Sequence, residues 1–201
     1  ELQGLAGNYD EVFLPLYGEH QASNAACALA AVETFLGAGD RGPLDIEAVR
    51  TAFAGVRSPG RMEVLRRGPT VLIDGAHNPA GAAALAAALE DAFGFDRIVG
   101  VVAVLGDKDV VGLLEQLEPV VSEVIVTTNS SPRALPVEDL AAVAVEVFGE
   151  DRVSATVRLD DAIEAAIGAA EASGELGGSG VLITGSIVTV GDARHLLGAP
   201  R

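Results

Sequence analysis

The sequence is poor in cysteine, lysine and aromatic side chains, and each scarcity closes off a class of protein. The lone cysteine, Cys27, rules out a disulfide within the chain, and no Cys or His spacing resembles a zinc site. Cys27 stands in an Ala-rich helical run, where a small buried hydrophobe is the expected reading. No apolar run reaches the roughly 18 residues that would span a bilayer. No signal-peptide pattern is legible, so a cytoplasmic protein is expected. Positive charge is scarce too: 13 Lys and Arg stand against 29 Asp and Glu, for a formal charge of −16. That argues against a bulk nucleic-acid binder and against a binder of anionic membranes. A small anionic ligand would need a local cluster of donors. Of the 13 basic residues only Lys108 is lysine, inside GDKD, and its compact ammonium suits a phosphate or carboxylate oxygen.

Two chemical signatures are missing as well. There is no G-x-S-x-G nucleophile turn. A Walker A loop needs a lysine in G-x-x-x-x-G-K-[ST], and the single lysine lies elsewhere. Residues 37–42, GAGDRG, match G-x-G-x-x-G in letters only. They follow a helical run rather than a strand and lead into Pro43, so they read as a loop.

What the chain does have is 49% hydrophobic residues, enough for a substantial core. Glu11–Leu16 reads as a short strand limited by Pro15, and 18–36 as a long helix with a polar start. So early a strand suggests the tail of something larger. Asp45–Phe53 reads as a capped helix, and Ser58-Pro59-Gly60 as a linker, which puts a domain boundary near residue 57. Beyond it, strands expected at 62–66, 70–74, 98–105, 123–127, 153–157 and 181–184 alternate with helices at 79–93, 109–118, 136–148 and 159–172 and a last one ending near 197; 173–180 is a Gly-rich loop. Buried-type strands alternating with helices imply an α/β, Rossmann-like, mostly parallel sheet with helices on both faces.

In such a sheet, ligands meet the carboxyl ends of the strands. The most informative stretch is Thr70–Gly81, TVLIDGAHNPAG. An apolar strand runs into Asp74, turns through Gly75-Ala76, and opens a helix with Asn78 as cap and Pro79 at its first position. The parallel arrangement carries the loops GDKD, TTNSSPR and TGS to the same edge. It thereby gathers Asp74, His77, Lys108, Asp109, Arg133 and Ser186, with Arg61 arriving from the linker. Each also has a structural reading: Asp74, Asp109 and Ser186 could cap turns or helices, and His77 could be an exposed helix end. His20 reads as structural, and His195 as a favourable partner for a helix C-terminus.

These motifs carry a resemblance. LPLYGEHQASNAACALA (14–30), SPGRMEV (58–64), VLIDGAHNPAGA (71–82), LGDKD (105–109), SPRAL (131–135) and TGSIVTVGDAR (184–194) resemble, in order, the C-terminal part of the folylpolyglutamate synthase/dihydrofolate synthase family of the Mur ligase superfamily. The resemblance implies that residues 1–57 are the end of a central ATP-binding domain and 58–201 a C-terminal Rossmann-like domain. It implies an ATP-dependent ligase that adds L-glutamate to dihydropteroate or folates through an acyl phosphate. ATP and Mg2+ are implied, with the P-loop and main magnesium ligands upstream of this stretch. By motif, Asn24 corresponds to an adenine contact, Arg61 to a phosphate contact and Asp74 to a ribose contact. His77 and Ser186 correspond to contacts to glutamate. Lys108, Asp109 and Arg133 remain candidates for substrate or another anion. Arg61 and His77 are the catalytic candidates, no metal ligand is assigned, and a monomer acting on small molecules is expected. A Mur-type peptidoglycan ligase and a non-catalytic nucleotide- or amino-acid-binding module are the alternatives.

Overall fold

The computed structural model describes residues 1–38, 42–172 and 178–198. The chain divides into two compact units, 1–59 and 60–201. The centres of the loops expected at 37–42 and 173–180 lie outside the described residues.

In the first unit, β1 (Leu2–Gln3) and β2 (Asn8–Tyr9) form a short antiparallel pair, followed by α1 (Glu19–Leu36) and α2 (Ile46–Ala54). Asp45 caps α2 by accepting from the Ala48 N–H at 2.8 Å. Leu2, Tyr9, Ala25, Leu29 and Val49 make the core. Two expectations fail here. Glu11–Leu16 is not a strand. Val12 and Leu14 do pack inward in alternation, but no neighbouring strand offers them a ladder. Cys27 is exposed. The inward stripe of α1 is Gln21, Ala25, Leu29 and Glu33, and two residues of helix carry Cys27 to the opposite side of that stripe.

The second unit is a six-stranded sheet. Its strands are β3 (Glu63–Arg67), β4 (Thr70–Ile73), β5 (Arg97–Val102), β6 (Glu123–Val126), β7 (Val153–Ala155) and β8 (Ser179–Thr184), in the order β3-β4-β8-β5-β6-β7. Only β3 runs antiparallel, returning on β4 through Gly68-Pro69. The helices are α3 (Pro79–Ala92), α4 (Val110–Leu117), α5 (Val137–Phe148), α6 (Leu159–Ala172) and α7 (Ile187–Leu196). Alternate strand residues feed two cores, as a period of two requires. Leu72, Val102, Val124 and Leu182 join Leu85, Leu89, Leu113, Leu114, Leu117 and Leu140 from α3–α5. Val71, Ile73, Val99, Val101, Val181 and Ile183 join Ile163 and Ala166 of α6 and Val190 of α7. At ~1.5–3 kcal/mol per fully buried aliphatic side chain, these two layers are the main source of stability.

β5 ends earlier than its apolar run, 98–105, would suggest. Its neighbour β8 turns away at Gly185, whose φ of 103° suits glycine, and the last rung is the Ala103 N–H to Thr184 O bond at 3.2 Å. A β-carbon at Gly185 would stand 2.7 Å from Ala103 O. Leu105 instead bridges to Ala134 in the next loop. Likewise β3 begins at Glu63 rather than Met62, because Met62 takes a φ of 42°.

Candidate functional site

The carboxyl ends of β4, β8, β5 and β6 form one edge, and the turn after β4 is its centre. The Asp74 carboxylate is buried. Its Oδ1 accepts from the Ala76 N–H at 2.8 Å and its Oδ2 from the Met62 N–H at 2.9 Å. It therefore folds its own turn and ties the segment before β3 to it. Backbone bonds fix the turn on two more sides: Gly75 N–H donates to Gly60 O at 2.9 Å and Gly185 N–H to Ala76 O at 3.1 Å. A β-carbon at Gly75 would lie 2.9 Å from Ile187 Cδ1, so any side chain there requires Ile187 to shift.

Arg61 and His77 flank this turn. Arg61 is exposed, and Arg61 Nη1 comes within 3.8 Å of the β-carbon position at Gly75. No side-chain hydrogen bond or ion pair joins its guanidinium to another described residue. His77 is half-buried, and its Nδ1 lies 2.9 Å from Gly75 O. A carbonyl only accepts, so Nδ1 carries a proton, and in the tautomer with that single ring proton Nε2 is the acceptor.

Two helices start beside it. Asn78 caps α3, its Oδ1 accepting from the Gly81 N–H at 2.7 Å, with Pro79 in the first turn. Ser186 is buried and caps α7, its Oγ accepting from the Val188 N–H at 3.1 Å. A third start, that of α4, is close: a β-carbon at Gly112 would be 2.8 Å from Pro79 Cγ. Asp109 caps α4 through the Gly112 N–H at 2.9 Å. Helix N-termini carry partial positive charge, so this edge favours anions.

The sequence left Asp107 unremarked. Its Oδ2 lies 3.6 Å from Lys108 Nζ and 3.4 Å from Arg133 Nη1, so one carboxylate offsets both rim cations. Gly106 N–H donates to Arg133 O at 2.9 Å, which joins the two loops. Also unremarked were Asn129 and Thr189: buried Asn129 Nδ2 donates to Thr189 Oγ1 at 3.0 Å, and Thr189 Oγ1 donates to Ala103 O at 2.8 Å. Ser130 adds two bonds to Asp192. Two loops of the edge and α7 are thus tied together by polar groups whose partners lie 60 or more positions away. Asn24 belongs to the first unit, where it is exposed on α1 and donates from Nδ2 to Gln21 Oε1 at 3.1 Å.

Residues 60–187, which include this whole turn-and-helix constellation, match the family model "Mur ligase, glutamate ligase domain". The chain belongs to the Mur ligase family. This Mur ligase chain is 55% identical over 206 residues to the dihydrofolate synthase/folylpolyglutamate synthase of Mycobacterium tuberculosis, a match covering 98% of this chain and 42% of that protein. It superposes on a crystal structure of Mycobacterium tuberculosis folylpolyglutamate synthase complexed with ADP and AMPPCP with a TM-score of 0.92 at 54% identity, over 98% of this chain and 44% of that one. Escherichia coli FolC in complex with DHPP and ADP gives a TM-score of 0.78 at 27% identity, over 97% and 42%. This Mur ligase chain therefore spans less than half the length of these relatives, and the part it spans is their C-terminal part.

Proposed function

We propose that this chain is the C-terminal portion of an ATP-dependent ligase that joins L-glutamate to dihydropteroate, to folates, or to both, through an acyl phosphate. Residues 60–201 would form its glutamate-ligase domain and the first unit the end of its ATP-binding domain. The observation that carries the reading is an exposed guanidinium, Arg61, with no partner among the described residues, poised beside the Asp74–Asn78 turn and its helix N-termini. Such a donor set suits the phosphates of a nucleotide.

Arg61 has the charge and freedom to meet phosphate oxygens as charge develops on them. Asp74 is assigned to the ribose and Asn24 to the adenine; each Asp74 carboxylate oxygen also accepts from a backbone N–H, that of Ala76 or of Met62. His77 Nε2, an acceptor in the tautomer protonated at Nδ1 alone, suits the glutamate ammonium. Ser186 is assigned to glutamate as well, while it caps α7. Lys108 and Arg133 stand as a second cationic pair shared with Asp107, and Asp109 serves α4. Among the described residues no group of three or more His, Cys, Asp and Glu side chains is arranged to hold a metal. A Mg2+ ion at this site would be held mainly by the nucleotide phosphates and by ligands outside this stretch.

In this reading the folate carboxylate oxygen attacks the terminal phosphorus of ATP and ADP leaves. The glutamate amine then attacks the acyl carbon, phosphate leaves, and the amine gives up a proton. The chain's residues position and stabilise rather than react. The test is phosphate release by the complete gene product with ATP, magnesium, L-glutamate and either dihydropteroate or tetrahydrofolate. Glutamate-dependent turnover with either pterin is expected; none with both would defeat the proposal.

A further inference from the structure

Arg61 is held by its backbone alone, and the groups that hold it are Asp74 on one side and Glu63 on the other. Glu63 Oε2 accepts from the Gly60 N–H at 2.8 Å and also pairs with Arg194 Nη1, both side chains being largely buried. Asp74 Oδ2 holds the Met62 N–H at 2.9 Å. The residues on either side of Arg61 are therefore pinned to β3, β4 and α7.

The pinned backbone is one the chain would not adopt freely. Gly60 has a φ of 77° and Met62 a φ of 42°. A non-glycine residue in that region persists only where its surroundings over-determine it. Charge adds a second constraint. Glu63 is two residues from Arg61, and an unpaired carboxylate there would compete for the guanidinium. Arg194, 131 positions away, occupies Glu63 instead. Arg61 is left without a described partner.

We propose that Glu63 and Arg194 are positioning residues for Arg61: Glu63 fixes the backbone that presents it, and Arg194 keeps Glu63 from capturing it. The inference rests on Arg61 meeting the phosphates of a nucleotide.

The test uses the complete gene product and two readouts, affinity for AMPPCP by calorimetry and kcat/KM for ATP. Arg194→Met should weaken both about 10-fold, the scale on which misplacing one group acts. Adding Glu63→Gln, which keeps an acceptor for the Gly60 N–H and removes the competing charge, should recover most of that loss. In an Arg61→Ala background neither change should matter by more than about 2-fold, since coupled residues are not additive. Equal losses with and without Arg61, or no recovery in the double variant, would overturn the proposal; a purely structural defect gives that pattern and a lowered melting temperature. Failure of the unaltered protein to bind AMPPCP would instead defeat the assignment of Arg61's ligand.

Discussion

Gly60 and Val190 lie so close that a β-carbon on Gly60 would stand 2.6 Å from Val190 Cγ1. Gly60 also has a φ of 77°, so an alanine there meets both a strained backbone and a clash. Gly60→Ala should destabilise the protein by about 2–4 kcal/mol, from roughly 1–2 for the left-handed backbone and the rest from overpacking. Chemical denaturation would measure it. Val190→Ala in the same chain should relieve the clash and leave the backbone cost.

Arg61→Ala should leave the melting temperature unchanged, because the exposed guanidinium has no described partner to lose. It should lower ligation about 100-fold or more, the range for removing a donor that stabilises developing charge. Unchanged turnover at saturating ATP would remove Arg61 from the site.

His77→Ala should act on the amino acid. The apparent KM for glutamate should rise about 10-fold or more, as for the loss of one well-placed hydrogen bond to a charged group. Steady-state kinetics with each substrate varied in turn would check it, and an effect confined to ATP would contradict the assignment.

Glu33 gives the first unit a pH dependence. Burial alone would raise its pKa, but bonds from the Tyr9 hydroxyl and the Leu5 and Ala6 N–H groups outweigh that and leave it lowered. A carboxyl depressed below its unfolded value of about 4.3 contributes stability that is fully present above that pH. The contribution is lost as pH falls through the folded pKa. Amide protection factors in the first unit, which correct for the intrinsic pH dependence of exchange, should therefore fall in that acid range, and Glu33→Gln should flatten the dependence. Tyr9→Phe should cost about 1–3 kcal/mol at neutral pH, since Glu33 loses a donor and the Leu44 N–H loses its acceptor.

Thr184 ends β8 with a buried hydroxyl that finds no partner among the described residues. Thr184→Val keeps the shape and removes the unsatisfied group, so it should stabilise the protein by about 1 kcal/mol, read as a raised denaturation midpoint.

The sheet was legible because its information is local. Runs such as Val71–Ile73 and Ile98–Val102 signal strands buried on both faces, and Asn78-Pro79 and Asp109 announce helix starts through bonds spanning three residues. The gathering of Asp74, His77 and Ser186 at one edge followed from strand direction alone, and Gly185–Ala76 is the bond that realises it. What the sequence hid is either partnered at long range or decided by a missing neighbour. Glu63–Arg194 and Asn129–Thr189 pair across 131 and 60 positions, with no periodicity to betray them. Glu11–Leu16 has the alternation of a strand and no strand beside it. Cys27 shows that an Ala-rich helix can be apolar on more sides than it buries in this unit.

β8 is the final strand in sequence and a central one in space, seated between β4 and β5. During synthesis, β4 and β5 must both leave the ribosome with open inner edges and wait, β4 for about 105 residues and β5 for about 75, before the strand that joins them emerges. Until then the nascent chain holds two separate halves, β3–β4 and β5–β6–β7, and the turn that carries Asp74 lacks the β8 backbone on which it hangs. Assembly of this sheet edge is thus a late and cooperative event, completed after translation has passed residue 184.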